Sequence, residues 1–146
     1  MTRLLLDTSV LIKWFHSAGE SELTEARVLR AAHLAGDLEA HILDLALYEV
    51  GNVLVRALNW PAVEVADQLD DLLLICGGPL VLTAEWLRVA AGLASELRLS
   101  FYDAAWAAAA RGLACPLVSA DHQLVAAGLA ESPAAITRRL RLGPYN

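Results

Sequence analysis

Short aliphatic runs alternate with longer segments of helical periodicity along the whole chain. Apolar runs of only a few residues are typical of strands buried inside a sheet. Such runs predict strands at Arg3–Leu6 and at positions 41–43, 80–82 and 116–119, with a fifth candidate at 134–137.

The segments between these runs carry apolar residues at the three- and four-residue spacing of a helix. Serine, threonine, aspartate and glycine stand near their ends, where helix caps are expected. Helices are predicted at 9–16, 21–36, 45–59, 62–74, 84–96, 101–111 and 122–128. Strands that alternate with helices indicate an α/β fold, in which a central parallel sheet of four or five strands lies between two layers of helices.

Length and composition favour one domain over residues 1–146. The hydrophobic fraction is 57% and the mean hydropathy is +0.47, so the chain can build a core. The longest uncharged stretch, 72–84, contains Gly77, Gly78 and Pro79 and is too short to span a membrane. Two cysteines are too few for a disulfide framework, so we expect a cytoplasmic protein.

The formal net charge of −6 excludes a simple polyelectrolyte binder of nucleic acid, which is usually basic. It does not exclude a nucleic-acid substrate, because acidic side chains gathered at one site can be neutralised by divalent ions.

Four acidic residues stand where predicted strands end or where the following helices begin. Asp7 directly follows the first strand, and Asp121 follows the fourth by one residue. Asp103 lies in the first turn of a helix that Ser100 caps, and Glu49 lies one turn into the helix after the second strand. Sites in open parallel sheets lie at the carboxyl ends of the strands, so we expect the four carboxylates to converge there.

Each acid also has an ordinary structural explanation. Asp7 and Asp121 can be N-caps, and Ser100 with Asp103 fits a capping-box pattern. Glu49 can belong to a solvated polar helix face. Caps do not explain why all four acids crowd one edge, where carboxylates repel and raise each other's pKa. A bound cation explains it, and carboxylate oxygens without histidine or cysteine suit Mg²⁺ or Mn²⁺, the ions of phosphodiester hydrolysis.

Four segments in this order resemble the PIN domain, and more narrowly the VapC-type toxin ribonucleases of toxin–antitoxin operons. They are LLDTSVLI at 5–12, YEVGNVL at 48–54, SFYDAA at 100–105 and LVSAD at 117–121. By this resemblance, the metal-binding and catalytic acids are Asp7, Glu49, Asp103 and Asp121. Thr8 and Ser119 are similar to the small hydroxyl residues that accompany these acids, although threonine is more usual than serine at position 119.

The resemblance implies an Mg²⁺- or Mn²⁺-dependent endoribonuclease that acts on RNA, forms a homodimer and is neutralised by a cognate VapB-type antitoxin. A PIN-like module that binds RNA or protein without turnover stays open, as does a housekeeping PIN nuclease. Two rival enzyme classes fit less well. A dehalogenase-like phosphatase needs a second aspartate where Ser9 stands, and a response-regulator receiver needs a late lysine, whereas Lys13 is the only lysine.

Other residues keep two interpretations. Lys13 either meets a phosphate or is an ordinary solvated lysine. Trp14, Phe15 and Trp60 either belong to the core or line a groove for an antitoxin helix. The arginines near the end of the chain either touch RNA or solvate the tail; they are Arg138, Arg139 and Arg141.

Overall fold

A short parallel sheet organises the fold around its first strand. The computed structural model describes residues 1–145. The strands are β1 (Arg3–Leu6), β2 (Glu39–His41) and β3 (Leu117–Val118). The α-helices are α1 (Thr8–Ile12), α2 (Leu23–Leu34), α3 (Leu45–Asn52), α4 (Ala62–Cys76), α5 (Ala84–Leu97), α6 (Phe101–Leu113), α7 (His122–Ala126) and α8 (Pro133–Arg139).

The strand order is β2-β1-β3, and both pairings are parallel. Leu4 of β1 is aligned with Ala40 of β2, and Leu6 is aligned with Val118 of β3. Successive side chains of a strand point to opposite faces of the sheet. Because Leu4, Leu5 and Leu6 are all fully buried, both faces of the sheet are covered, as the aliphatic runs predicted.

The prediction of four or five strands was wrong, since residues 1–145 form a sheet of three. The expected strand at 80–82 is reduced to one bridge between Leu43 and Leu80. Leu80 donates its N–H to Ile42 O and accepts the Asp44 N–H, both at 2.9 Å, and the cap of α5 at Thr83 follows only three residues later. Val81 is then 67% exposed, so the chain leaves the sheet immediately.

The predicted strand at 134–137 is helical instead, and forms part of α8. Ser132 caps this helix by accepting the Ala135 N–H at 3.1 Å, and Pro133 occupies its first position, where proline is favoured. The pairing expected of this segment falls on Glu131, whose N–H donates to Leu117 O at 2.9 Å. The short apolar run was therefore the buried face of a helix rather than a strand.

The helix predicted at 45–59 is divided. α3 ends at Asn52, and a π-helical turn follows at Val53–Ala57, in which the Leu58 N–H donates to Val53 O at 3.1 Å. Single π-turns are often found at functional sites, and Val53 lines the cleft described below. Asp44, expected to cap α3, makes no side-chain capping hydrogen bond. Among residues 1–145, none of the helices is both long and apolar enough to cross a membrane.

Candidate functional site

The four predicted acids line one cleft at the carboxyl ends of β1 and β3. The cleft has a volume of about 250 Å³. Its walls are formed by Asp7, Thr8, Ser9, Ile12, Glu49, Val53, Asp103, Trp106 and Asp121. The structure therefore brings together carboxylates from four separate segments of the chain.

Asp7 and Asp121 are helix caps as well as cleft residues. Asp7 Oδ1 accepts the Ser9 N–H at 3.1 Å and also accepts the Ser9 hydroxyl. Asp121 Oδ1 accepts the N–H groups of Gln123 and Leu124 at 2.8 and 3.2 Å. Each acid can therefore cap a helix and also line the cleft, because both stand where a strand ends and a helix begins.

Glu49 is oriented by two neighbours from other elements. Its Oε1 accepts the Thr8 hydroxyl at 3.0 Å and the Trp106 indole N–H at 3.1 Å. Within residues 1–145, Glu49 Oε2 has no hydrogen-bond donor, so this oxygen is available to a ligand. Sequence reasoning missed Trp106, although its spacing of three residues from Asp103 places both on one face of α6.

Asp103 lies in the first turn of α6, which begins as predicted. The Ser100 hydroxyl oxygen accepts the Asp103 backbone N–H at 3.1 Å, and the Asp103 side chain is half-buried. The cap therefore fixes the helix start and places the Asp103 side chain among the cleft residues.

Two serines hold the ends of β1 and β3 in register. Ser119 is fully buried, and its hydroxyl oxygen accepts the Asp121 N–H at 3.0 Å. Ser9 donates its hydroxyl to Asp7 and accepts the Ala120 N–H at 2.9 Å. Ser9 was also missed by sequence reasoning; its position two residues after Asp7 is the usual place for a capping partner.

Burial raises the pKa of the Asp7 carboxyl from 3.8 to about 6, and the Glu49 charge adds to the rise. Hydrogen bonds from Ser119, Ser9 and the Val10 N–H oppose it. The pKa of Asp103 is also raised, first by burial and then by the charges of Asp121 and Glu49, against the Ser100 hydrogen bond. The negative charges of these carboxylates therefore destabilise one another, and a bound cation would offset that repulsion.

The donor chemistry of the cleft fits a hard divalent ion. The donors are carboxylate and hydroxyl oxygens, which suit Mg²⁺ and Mn²⁺. Asp121, like Glu49, binds the protein through one carboxylate oxygen and leaves the other without a donor within residues 1–145. In the described part of the chain, however, no three His, Cys, Asp or Glu side chains are close enough to hold one ion as placed. Ligation by three of the acids therefore requires side-chain rotation.

Other sequence hypotheses have mixed outcomes. Lys13 is buried rather than solvated, and Trp14 belongs to the core, where its indole N–H donates to Ala26 O at 2.9 Å. Phe15 and Trp60 pack edge to face with ring centroids 5.8 Å apart. Arg139 forms two hydrogen bonds with the Glu131 carboxylate, at 2.7 and 3.0 Å.

Comparisons with known proteins identify the family and the fold of the chain. The sequence profile of the PIN domain matches residues 4–129. The crystal structure of PAE2754 from Pyrobaculum aerophilum is similar, with a TM-score of 0.67 and 26% identity over 96% of this chain and 97% of that one. Among curated proteins, no sequence matches. The chain belongs to the PIN domain family, whose members are generally metal-dependent nucleases.

Proposed function

We propose that this protein is a metal-dependent endoribonuclease of the VapC toxin type, which hydrolyses RNA phosphodiester bonds with Mg²⁺ or Mn²⁺. One observation carries the proposal: Asp7, Glu49, Asp103 and Asp121 line a single cleft. The raised pKa values of Asp7 and Asp103 support it, because they show that the cleft disfavours bare negative charge.

In this proposal Asp7, Asp103 and Asp121 hold the metal, which when bound polarises a phosphoryl oxygen and activates water. Glu49 binds a second ion or orients the attacking water through Oε2. Thr8 and Trp106 fix the other oxygen of Glu49, so the carboxylate keeps one orientation. Ser9 holds Asp7, and Ser119 holds the backbone of Asp121. In-line attack by water gives a 5′-phosphate and a 3′-hydroxyl.

The partners and location follow from the same proposal. The protein acts in the cytoplasm as a homodimer, and a cognate VapB-type antitoxin neutralises it. The exposed apolar side chains of α4 suit such contacts, since Val63 and Leu74 are 72% and 83% exposed. Expression of the protein should arrest cell growth, which a housekeeping nuclease would not do, and co-expression of its cognate antitoxin should relieve the arrest.

Cleavage of a single-stranded oligoribonucleotide tests the activity. We expect cleavage with Mg²⁺ or Mn²⁺, no cleavage with a chelator, and 5′-phosphates on the products. Asp103→Asn should lower the rate at least about a thousandfold, equivalent to about 4 kcal/mol of barrier. Glu85→Gln, an equal change of charge in the first turn of α5, should cleave normally. RNA binding without metal-dependent cleavage would contradict the proposal and favour a binding module.

A further inference from the structure

A second cleft adjoins the carboxylate cleft. It has a volume of about 390 Å³, within the range of roughly 300–1,000 Å³ that is typical of small-ligand sites. Ser9, Ile12 and Val53 line both clefts, so the two are contiguous. The part that is not shared includes Lys13 and Glu20. A chain bound across the acids can therefore continue into this second cleft.

Lys13 is a buried cation on the wall of the second cleft. The residue is 3% exposed, and its Nζ donates to Glu20 Oε1 at 2.9 Å and to Ser21 O at 2.6 Å. A lysine ammonium has three N–H donors, and within residues 1–145 the third has no acceptor. A buried charge is costly unless it is paired and fully hydrogen-bonded. An acceptor from a ligand would complete this set.

The loop that carries this wall is fastened at several points. Arg27 Nε donates to Lys13 O at 3.1 Å, and Arg27 also donates to the Ser17 hydroxyl at 2.9 Å. Glu22 Oε1 accepts the Ala134 N–H at 2.9 Å, which ties the loop to the start of α8. Lys13 is therefore held in place before any ligand arrives, which lowers the entropic cost of using it.

We propose that the second cleft is a nucleotide subsite in which Lys13 donates a hydrogen bond to an RNA phosphate next to the scissile one. This inference rests on the proposed function. A fixed cation beside the acids helps to hold a polyanionic strand, because phosphate contacts supply much of the affinity and position the chain. Glu20 holds the ammonium at the wall and partly offsets its charge.

Binding of a fluorescent single-stranded oligoribonucleotide tests the subsite without cleavage, in the Asp103→Asn background with Mg²⁺ present. Adding Lys13→Met should weaken binding by roughly tenfold to a hundredfold. The slope of log affinity against log salt should fall by about 0.7, the value for one lost phosphate contact on a single strand. Arg111→Met is the matched control, because Arg111 lines a separate cleft near the start of β3.

A second variant covers the case in which Lys13→Met does not fold. Glu20→Gln frees the ammonium from its counter-charge, so binding should tighten severalfold, whereas Glu85→Gln should change it little. Equal affinities for Glu20→Gln and Glu85→Gln would overturn the subsite.

Two further outcomes separate the subsite from the proposed function. Affinity or salt slope unchanged by Lys13→Met would overturn the subsite alone. Absence of RNA cleavage by the wild-type protein with either Mg²⁺ or Mn²⁺ would overturn the proposed function, and the subsite with it.

Discussion

The carboxylate cleft and the α5–α6 helix pair are built in opposite ways. In the pair, small residues allow close packing: the six alanines between positions 104 and 110 of α6 are buried, and Gly112 lies under Trp86 of α5. In the cleft, the Asp7 side chain is only 5% exposed, and other carboxylates line the same walls. The raised pKa of Asp7 means that keeping its carboxylate charged in the folded protein lowers stability, and the apolar helix pair has no such destabilising charge.

This difference shows where the molecule gives up stability. Apolar burial stabilises the helix pair, whereas the cleft keeps ionisable groups in partly desolvated positions. Without a bound cation, the cost of the Asp7 charge is uncompensated at neutral pH. Changes in the cleft should therefore raise stability and lower activity, and changes in the helix pair should lower stability and leave the chemistry alone.

The largest expected effect on stability is that of Asp7→Asn, measured with a chelator present. Asparagine keeps an oxygen to accept the Ser9 hydrogen bonds but carries no charge. With a folded pKa of about 6 against 3.8 unfolded, the native state binds more protons between these values. Wild-type stability therefore falls as pH rises from about 4 to about 6. Above pH 6 the variant should be more stable by on the order of 2–3 kcal/mol.

This gain should fade as the pH is lowered towards 4, where the wild-type carboxyl is protonated. Denaturant unfolding at several pH values measures it. A variant that is no more stable at neutral pH, or a difference that does not change with pH, would show that the cleft carries no such cost.

A smaller effect is expected from glycine substitutions in the helix pair. A Cβ on Gly112 would overlap the indole of Trp86, so Gly112→Ala must displace that side chain. We expect a loss of about 1–2 kcal/mol. Gly92→Ala on α5 is the control, since its Cβ meets nothing within 4 Å, and it should stabilise by about 0.5–1 kcal/mol. Thermal unfolding measures both changes in stability. If the two variants were both more stable or both less stable than wild type, this packing account would be refuted.

The smallest effect comes from the two helix caps. Ser100 caps α6 and Thr83 caps α5, each by accepting one N–H at 3.1 Å. Ser100→Ala and Thr83→Ala should each cost about 1 kcal/mol. Only Ser100→Ala should also slow RNA cleavage, because the first turn of α6 carries Asp103. Equal cleavage rates in the two variants would show that the Ser100 cap does not help to position Asp103.

Much of the fold could be predicted because local rules and the tertiary structure agree. The run ending at Leu6 is a fully buried strand, and Ser100 and Thr83 start helices as their chemistry requires. The errors lie at the edges of the sheet, at Leu80 and at 134–137. At 134–137 a few apolar residues fit either a strand or one buried helix face, and the cap at Ser132 decides for the helix. At 80–82 the cap of α5 at Thr83 follows so soon that only one bridge forms.

The four acids of the candidate site could be predicted from the sequence, but the hydrogen bonds that orient them could not. Strand ends and helix starts place Asp7 and Asp121, whose neighbours are close in sequence. The indole of Trp106 and the hydroxyl of Thr8 reach Glu49 from 57 and 41 residues away. Such contacts depend on the packing of α3 against other elements, which no local pattern specifies. The burial of Lys13 likewise depends on the loop that carries Glu20.

The most direct measurement is the melting temperature of wild type and Asp7→Asn across a titration of Mg²⁺ or Mn²⁺. If the acids form one cation site, an ion at about a hundredfold excess over its Kd adds about 2.7 kcal/mol, or roughly 5–10 °C, to wild type. The variant should shift much less. A wild-type melting temperature that does not respond to either ion, or an equal shift in both proteins, would contradict the account.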